Sequence, residues 1–348
     1  MKDVAEKRDI RKLDLEALKS FFIENGDKAY RAQQVYEWLW KKSSKDFEQM
    51  TNLSVETRGM LKEHFVINHI HVDKMQRSVD GTIKNAVKLH DGLIVESVLI
   101  PNEKRMTACV SSQVGCSLDC TFCATARLKR MRNLNPDEIY DQVVAIKEQC
   151  DLIYGRPLTN IVFMGMGEPL LNYSNVIEAI DKITSHKGLN MAARRITLST
   201  VGLSKMIKKL ADDKVKFNLA VSLHSAINKT RSSLMPINEK NSLEELSEAL
   251  EYWYSKTKKK VTYEYVVWKG INDTRTDAEA LLEFCKKVPS KVNLIEYNAI
   301  GDENFQQAEE EVLDMYKDVL EKHGITTRIR KSRGKDIDAA CGQLANRS

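Results

Sequence analysis

Three cysteines, Cys116, Cys120 and Cys123, fall on one short segment in a C-x3-C-x2-C pattern, with Phe122 directly before the last. Three thiolates do not complete a four-coordinate metal site, so the set needs a fourth donor. One solution is a structural zinc site in which a remote residue such as Cys109 supplies it, although zinc motifs ordinarily come as paired C-x2-C arms. The other is a [4Fe–4S] cluster in which three irons carry thiolates and the fourth is open to a small molecule.

The spacing resembles the signature of the radical S-adenosylmethionine (SAM) enzymes, in which the amino and carboxylate groups of SAM occupy the open iron. Of the other cysteines, Cys150 and Cys285 fall in helical patterns and read as packing thiols. Cys109 stands just before the cluster segment. Cys341 lies in a flexible, polar, Gly-rich tail, where a thiol is not core filler and redox or nucleophilic chemistry is the better reading. Those readings assume reduced thiols. No apolar run approaches the ~20 residues that span a membrane, and the first residues lack the apolar stretch of a signal peptide, so a cytoplasmic location is expected. The chain has 348 residues, 42% hydrophobic and 30% charged, the balance of an ordinary soluble protein with room for two domains. A net charge of +5 is too mild to imply nucleic acid by itself.

The periodicity divides the chain. Residues 1–12 alternate charges and read as a frayed tail. Helices are expected after Asp14, over about 29–42 and over about 54–66, with Leu15, Leu18, Phe22, Val35, Trp38, Leu39, Val55, Met60 and Leu61 inward. From Ile70 to Cys109 the period changes to two, with hairpin turns at Asp80-Gly81 and Asp91-Gly92. Glu96 stands in an otherwise apolar strand, either at a solvated edge or placed for chemistry. Beyond the cysteines, strands at 160–164, 195–199, 216–222, 261–267, 291–296 and 325–330 alternate with helices at 136–149, 174–186, 203–212, 242–257, 277–287 and 309–323. Repeated βα units make a parallel sheet with right-handed crossovers. About six units are too few for a closed eight-fold barrel, so an α/β fold with an open, partial (β/α)6 barrel and a small N-terminal helical domain is expected. Ligands of such a fold gather at the C-terminal strand ends. There the sequence places Gly165-Met-Gly167-Glu168-Pro169, Ser199, Ser222-Leu223-His224 and Asn298. Glycines let backbone approach a ligand closely. Basic runs at 127–132 and 328–335 flank this rim and could hold a polyanion by its phosphates; the run at 256–260 reads as a solvated face.

Taken together, the C-x3-C-x2-C segment, Met-Gly-Met-Gly-Glu-Pro169, Ser-Leu-His224, Ser-Leu-Met-Pro-Ile-Asn238 and Asp-Ile-Asp-Ala-Ala-Cys341-Gly-Gln-Leu resemble one family, the radical SAM dual-specificity adenine-C2 methyltransferases of 23S rRNA and tRNA. The resemblance runs from about Leu13 to Leu344. It implies four regions: an RNA-binding accessory domain at 1–70, a β-hairpin linker at 71–100, the partial barrel at 101–335 and a catalytic-cysteine tail at 336–348. It implies Cys116, Cys120 and Cys123 as ligands of one [4Fe–4S] cluster, and Gly167, Glu168, Ser199, Ser222, Leu223, His224 and Asn298 as SAM contacts. Cys341 would become S-methylcysteine, Cys109 would release the product through a disulfide with Cys341, and Glu96 would accept a proton. Two SAM are used per turnover. Partners would be the two RNAs and an external one-electron reductant such as flavodoxin, with the protein a monomer. Two other readings stand beside it: a related C8 methyltransferase of the antibiotic-resistance type, and a zinc-stabilised RNA-binding protein without catalysis.

Overall fold

The computed structural model describes residues 7–346. Three helices open the chain: α1 (Leu15–Glu24), α2 (Tyr30–Trp40) and α3 (Val55–His64). Asp14 caps α1 by accepting from the Ala17 N–H at 2.8 Å, and Ser54 caps α3 by accepting from Thr57 at 3.2 Å. Leu18, Phe22, Val35, Leu39, Trp40 and Leu61 are buried between them, whereas Val55, expected inward, is exposed, because it stands at the first position of α3, outside its packed face. The stretch expected to fray differs from that reading as far as it is described. Arg8–Asp9 runs parallel to Phe65–Val66, and Arg11 is buried. Its guanidinium reaches Asp141 at 2.8 and 2.9 Å, Asp137 at 3.2 Å and Asp9 at 3.8 Å. The alternating charges hide one arginine that bolts this module to the next. Residues 1–6 lie outside the described residues.

Ten strands then form one sheet in strict chain order. The first four, β1 (His71–Arg77), β2 (Ile83–Lys88), β3 (Ile94–Pro101) and β4 (Met106–Cys109), are antiparallel neighbours. Residues 71–100, expected as a linker, are thus a continuation of the main sheet, because β3 pairs with β4 and β4 pairs in parallel with Asn160–Phe163. The parallel half follows: β5 (Asn160–Phe163), β6 (Ile196–Thr200), β7 (Asn218–Ser222), β8 (Val261–Val266), β9 (Ser290–Ile295) and β10 (Thr326–Arg330). Between them lie α4 (Pro136–Tyr154), α5 (Tyr173–Thr184), α6 (Ser204–Asp212), α7 (Asn228–Leu234), α8 (Leu243–Thr257), α9 (Arg275–Lys286) and α10 (Glu310–Glu321). The sheet ends at β1 on one side and β10 on the other, so it is an open barrel of six βα units completed by β10.

The strands of the parallel half alternate. Leu198, Leu219, Val221, Tyr263, Tyr265, Val292 and Leu294 are buried in the common core. Tyr263 meets Phe284 of α9 and Tyr265 meets Tyr316 of α10, ring centroids 5.5 and 5.6 Å apart. Burying both aromatic rows against helices fixes which way each strand faces. The alternate residues, including Thr197, Ser222, Glu264, Asn293, Arg328 and Arg330, face cavities in the lumen.

Because Arg11 satisfies three buried carboxylates, Arg11→Met leaves them without a counter-charge. The expected loss is about 3–5 kcal/mol of unfolding free energy, measured by denaturant titration of the full chain.

Candidate active site

The cysteine segment is a closed loop. Gln113–Val114 pairs antiparallel with Arg132–Asn133 at its base, and Arg132 locks that base by two hydrogen bonds to Glu138 at 2.8 Å each and one to Asp91 at 2.6 Å. Cys116, Cys120 and Cys123 line one wall of a cavity of about 180 Å³. Phe122 packs edge-on to His224 with centroids 4.8 Å apart. The facing wall comes from the strand ends: Gly165, Gly167 and Glu168 after β5, Ser199 on β6, Ser222 and His224 at the end of β7, and Asn298 after β9. Leu223 does not line the cavity. It is fully buried and contributes backbone, its N–H donating to the Glu264 carbonyl at 3.0 Å and its carbonyl accepting from Arg231 at 3.1 Å.

The glycines of the β5 loop have steric reasons. A Cβ on Gly165 would lie 2.7 Å from Ser111 Oγ, and one on Gly167, at φ +93°, would lie 2.5 Å from Gln113 Cβ. Both let the loop press against the segment leading into the cysteines. Glu168 is buried. Its Oε2 accepts from the Val201 N–H at 2.9 Å and its Oε1 from the Leu170 N–H at 3.0 Å, joining the loops after β5 and β6. Burial pushes its carboxyl up to about 7. His224 has φ +57°. Its Nδ1 accepts from the Val266 N–H at 3.1 Å, which leaves the proton of the neutral ring on Nε2. Burial first, and Arg231 second, push its pKa down to about 3, so the ring is a neutral donor at physiological pH.

Arg231 escaped the sequence reading. It is fully buried and donates to the carbonyls of Leu223 at 3.1 Å and Val201 at 2.5 Å, and to Asn238 Oδ1 at 2.6 Å. One guanidinium thereby fixes the loops after β6 and β7. Its signal lay beside the Ser-Leu-Met-Pro-Ile-Asn238 motif, whose terminal Asn238 is its partner. Four buried polar atoms at the cavity have no hydrogen-bond partner among the described residues: Asn298 Oδ1, Glu264 Oε2, Trp268 Nε1 and the Tyr297 hydroxyl. Buried polar groups are rarely left so, and four around one cavity mark groups that meet a ligand.

Cys341 is exposed and lines this cavity and a second one of about 400 Å³. Cys109 is buried and lines only the second, where burial pushes its thiol up to about 12. All seven cysteines are free thiols. Arg330 lines both cavities, 3.8 Å from Glu264, and its charged form is favoured foremost by Cys341.

The comparisons with known proteins agree with this geometry. The model of the ribosomal RNA large subunit methyltransferase N-terminal domain matches residues 8–67, and the radical SAM superfamily model matches residues 110–285. A probable dual-specificity RNA methyltransferase RlmN of Christiangramia forsetii is 69% identical over 342 residues, covering 98% of this chain and 97% of that protein. The chain belongs to the RlmN family of radical SAM RNA methyltransferases. Its counterpart in Salinibacter ruber is 46% identical over 97% of this chain and 94% of that protein. The crystal structure of a radical SAM methyltransferase from Sphaerobacter thermophilus superposes with a TM-score of 0.91 at 37% identity, covering 97% of this chain and 99% of that one.

Radical SAM enzymes use a [4Fe–4S] cluster and SAM. The donors of this chain fit that pair. Three thiols share one wall and the orphaned polar atoms stand around the same space. Burial pushes Cys116 up to about 11 and Cys120 higher still, and Cys123 adds to both by repulsion. A cationic centre relieves that cost. Among the described residues no three such side chains are gathered to a single metal-binding point, so the thiols share a wall without converging.

Two other expectations change. The RlmN-type tail is anchored along its length, where its polar composition suggested flexibility. Asp336 accepts from Ser78 Oγ at 2.5 Å, Ala124 N–H donates to the Gly342 carbonyl at 2.7 Å, Thr125 Oγ1 donates to the Leu344 carbonyl at 2.6 Å, and Gln343 donates to Ala299 at 3.0 Å. Glu96 is one of the anchors. It lines neither cavity. Its Oε2 accepts from the N–H groups of Ala345 at 2.8 Å and Asn346 at 3.1 Å, and its Oε1 lies 3.3 Å from Lys84. The basic run 127–132 is also partly consumed inside the protein, since Arg127 pairs with Asp302 at 2.8 Å and Arg132 holds the loop base.

A hydrogen bond to a charged group is worth about 1.5–3 kcal/mol. In Glu96→Ala the amides of Ala345 and Asn346 are therefore expected to exchange at least roughly tenfold faster, read by hydrogen-exchange mass spectrometry of the C-terminal peptide.

Proposed function

We propose that this chain methylates C2 of adenine in 23S rRNA and tRNA, with Cys341 carrying the transferred carbon. The observation that supports this most is the position of Cys341 on the wall shared by two cavities, one bordered by the three cysteines and the other by Cys109. C2 lies between two ring nitrogens and is electron-poor, so a cationic methyl donor does not alkylate it and a carbon radical is required. The bound cluster and SAM supply that radical and the methyl group.

The chain's own residues do the rest. The Cys341 thiolate, its thiol proton passed to solvent, attacks the methyl of SAM and becomes S-methylcysteine as the sulfonium S–C bond breaks and S-adenosylhomocysteine leaves. A hydrogen atom of that methyl would pass to the radical supplied by the bound cofactors, and the resulting carbon radical adds to C2, tethering the base to Cys341; the adduct would return one electron to the cluster as it gives up the C2 proton. Glu96 accepts the C2 proton, a role that rests on the family resemblance and requires the amides of Ala345 and Asn346 to leave its carboxylate. Cys109 as thiolate attacks the Cys341 sulfur. The S–C bond breaks, the departing carbon takes a proton to become the methyl group, and a Cys109–Cys341 disulfide remains for cellular reductant to open. His224, Ser199, Ser222 and Asn298 orient SAM with neutral groups, while the Gly167-Glu168 backbone meets its amino and carboxylate ends. The electron comes from an external one-electron reductant such as flavodoxin. In this reading the protein acts on RNA in the cytoplasm as a monomer. No helix among the described residues is long and apolar enough to cross a membrane.

Reconstituted enzyme incubated with rRNA and tRNA transcripts is expected to give 2-methyladenosine in nuclease digests analysed by mass spectrometry; 8-methyladenosine would move the reading to C8. Cys341→Ala is expected to abolish product. Cys109→Ala is expected to accumulate RNA covalently bound to protein, seen as a slow band on denaturing gels, and free turnover by that variant would remove Cys109 from the release step.

A further inference from the structure

The two arginines buried among the described residues are balanced differently. Arg11 stands among three carboxylates. The Arg231 guanidinium meets only neutral acceptors: the carbonyls of Leu223 at 3.1 Å, Val201 at 2.5 Å and Ser222 at 3.4 Å, and Asn238 Oδ1 at 2.6 Å. Among the described residues no carboxylate pairs with it. A fixed charge buried without a counter-charge is costly, and neutral amide donors would hold the same carbonyls without that cost. The place for a counter-charge is at the end of α7, the helix that carries Arg231. Thr121, the residue after Cys120, donates its N–H and its hydroxyl to the Leu234 carbonyl at 3.0 and 3.1 Å. Cys120 and Phe122 pack against the apolar group that contains Leu234, Met235 and Trp268. Burial holds the Arg231 guanidinium below its ordinary pKa, at about 10, and the Cys120 sulfur works against that burial. Its other ionisable neighbour, His224, is a neutral ring and offers no counter-charge.

We propose that Arg231 is the counter-cation of the iron–sulfur cluster, a positive charge fixed behind Cys120 by loop carbonyls and Asn238 that favours the cluster's reduced state. The inference rests on the cluster placed at Cys116, Cys120 and Cys123 in the function proposed above, and adds a control on its reduction. Three thiolates on a doubly positive core leave a net negative charge. Reduction adds one electron from the external one-electron reductant, with no bond made or broken. A nearby cation stabilises the more negative form more than the less negative one, so it raises the reduction potential. Arg231 does not line the cavity and makes no hydrogen bond to a thiol, so it is a positioning residue and not a catalytic one. The same guanidinium ties the loops after β6 and β7, whose strand ends carry Ser199 and Ser222. The energy of the electron and the seating of SAM thus depend on one side chain.

The test is the midpoint potential of the full-length reconstituted protein without SAM, read from the paramagnetic signal of the reduced cluster in a dye-mediated titration. Arg231→Gln keeps an amide donor for the loop carbonyls and removes the charge. Its reduction equilibrium is expected to weaken about tenfold, a fall of about 59 mV for one electron. Asn238→Ala loosens the same loops and leaves the charge in place. It is expected to raise the Kd for SAM while keeping the wild-type potential. Iron and sulfide content equal to wild type reports that each variant holds its cluster. If Arg231→Gln fails that check, Arg231→Lys, which keeps the charge without the planar fork, is read instead. Recovery of iron content and of the wild-type potential by Arg231→Lys supports the inference, and failure of either overturns it. A wild-type potential in Arg231→Gln, or an equal fall in Asn238→Ala, also overturns it. Absence of 2-methyladenosine from the wild-type reaction overturns the functional reading and leaves the potentials untouched, so the two failures are distinguishable.

Discussion

Everything at the site depends on the parallel register of the strands. In β7, β8, β9 and β10, the residues Ser222, Glu264, Asn293 and Arg328 stand side by side, and the next layer outward holds Tyr265, Leu294 and Ile329. A slip of one residue in any of these strands would carry its lumen residues into the helices and its aliphatic ones into the cavity. Two tyrosines pinned under α9 and α10 make that slip costly, because each would give up a buried ring. The chemistry at the rim is thus held in place by packing on the opposite face.

Much of this was visible in the chain itself. The βα alternation predicted the open sheet, and the entry signals at Asn135 and Ser242 are local devices that read directly from sequence; the helix expected from 277 instead starts at Arg275, capped by Thr274 with Asp277 as the third residue of its box. The three cysteines and the strand-end polar residues were visible because their spacing follows the repeat. What stayed hidden is what depends on residues far apart in the chain. Nothing near Arg231 announces that it reaches the carbonyls of two loops, and nothing near Arg11 shows Asp137 and Asp141 more than a hundred residues away. Glu96 had been left between a solvated edge and chemistry. Its first partners are backbone amides at the far end of the chain, which no local pattern encodes.

The tail shows the same limit in reverse. Its glycine and aspartates read as loose chain, yet Ala339, Ala340, Leu344 and Ala345 are buried and the carbonyls around Cys341 are taken up by Asn298, Ala124 and Thr125. Small residues allow this. An alanine packs closely against a sheet edge with little loss of side-chain entropy, so a segment poor in large apolar groups can still be held.

Two of those hydrogen bonds come from Ala124 and Thr125, the residues that directly follow Cys123. The cysteine loop and the segment around Cys341, which in the proposed function would hold the iron–sulfur centre and the methyl carrier, are therefore ordered by one another. By linkage, whatever rigidifies the first must favour docking of the second, and to the same extent in return. With the cysteine loop holding the cluster as proposed, iron loading would act as a maturation step for the distant end of the chain. A polypeptide made under iron shortage would carry a less firmly seated terminus, open to proteolytic surveillance before it could meet RNA with half of its chemistry assembled.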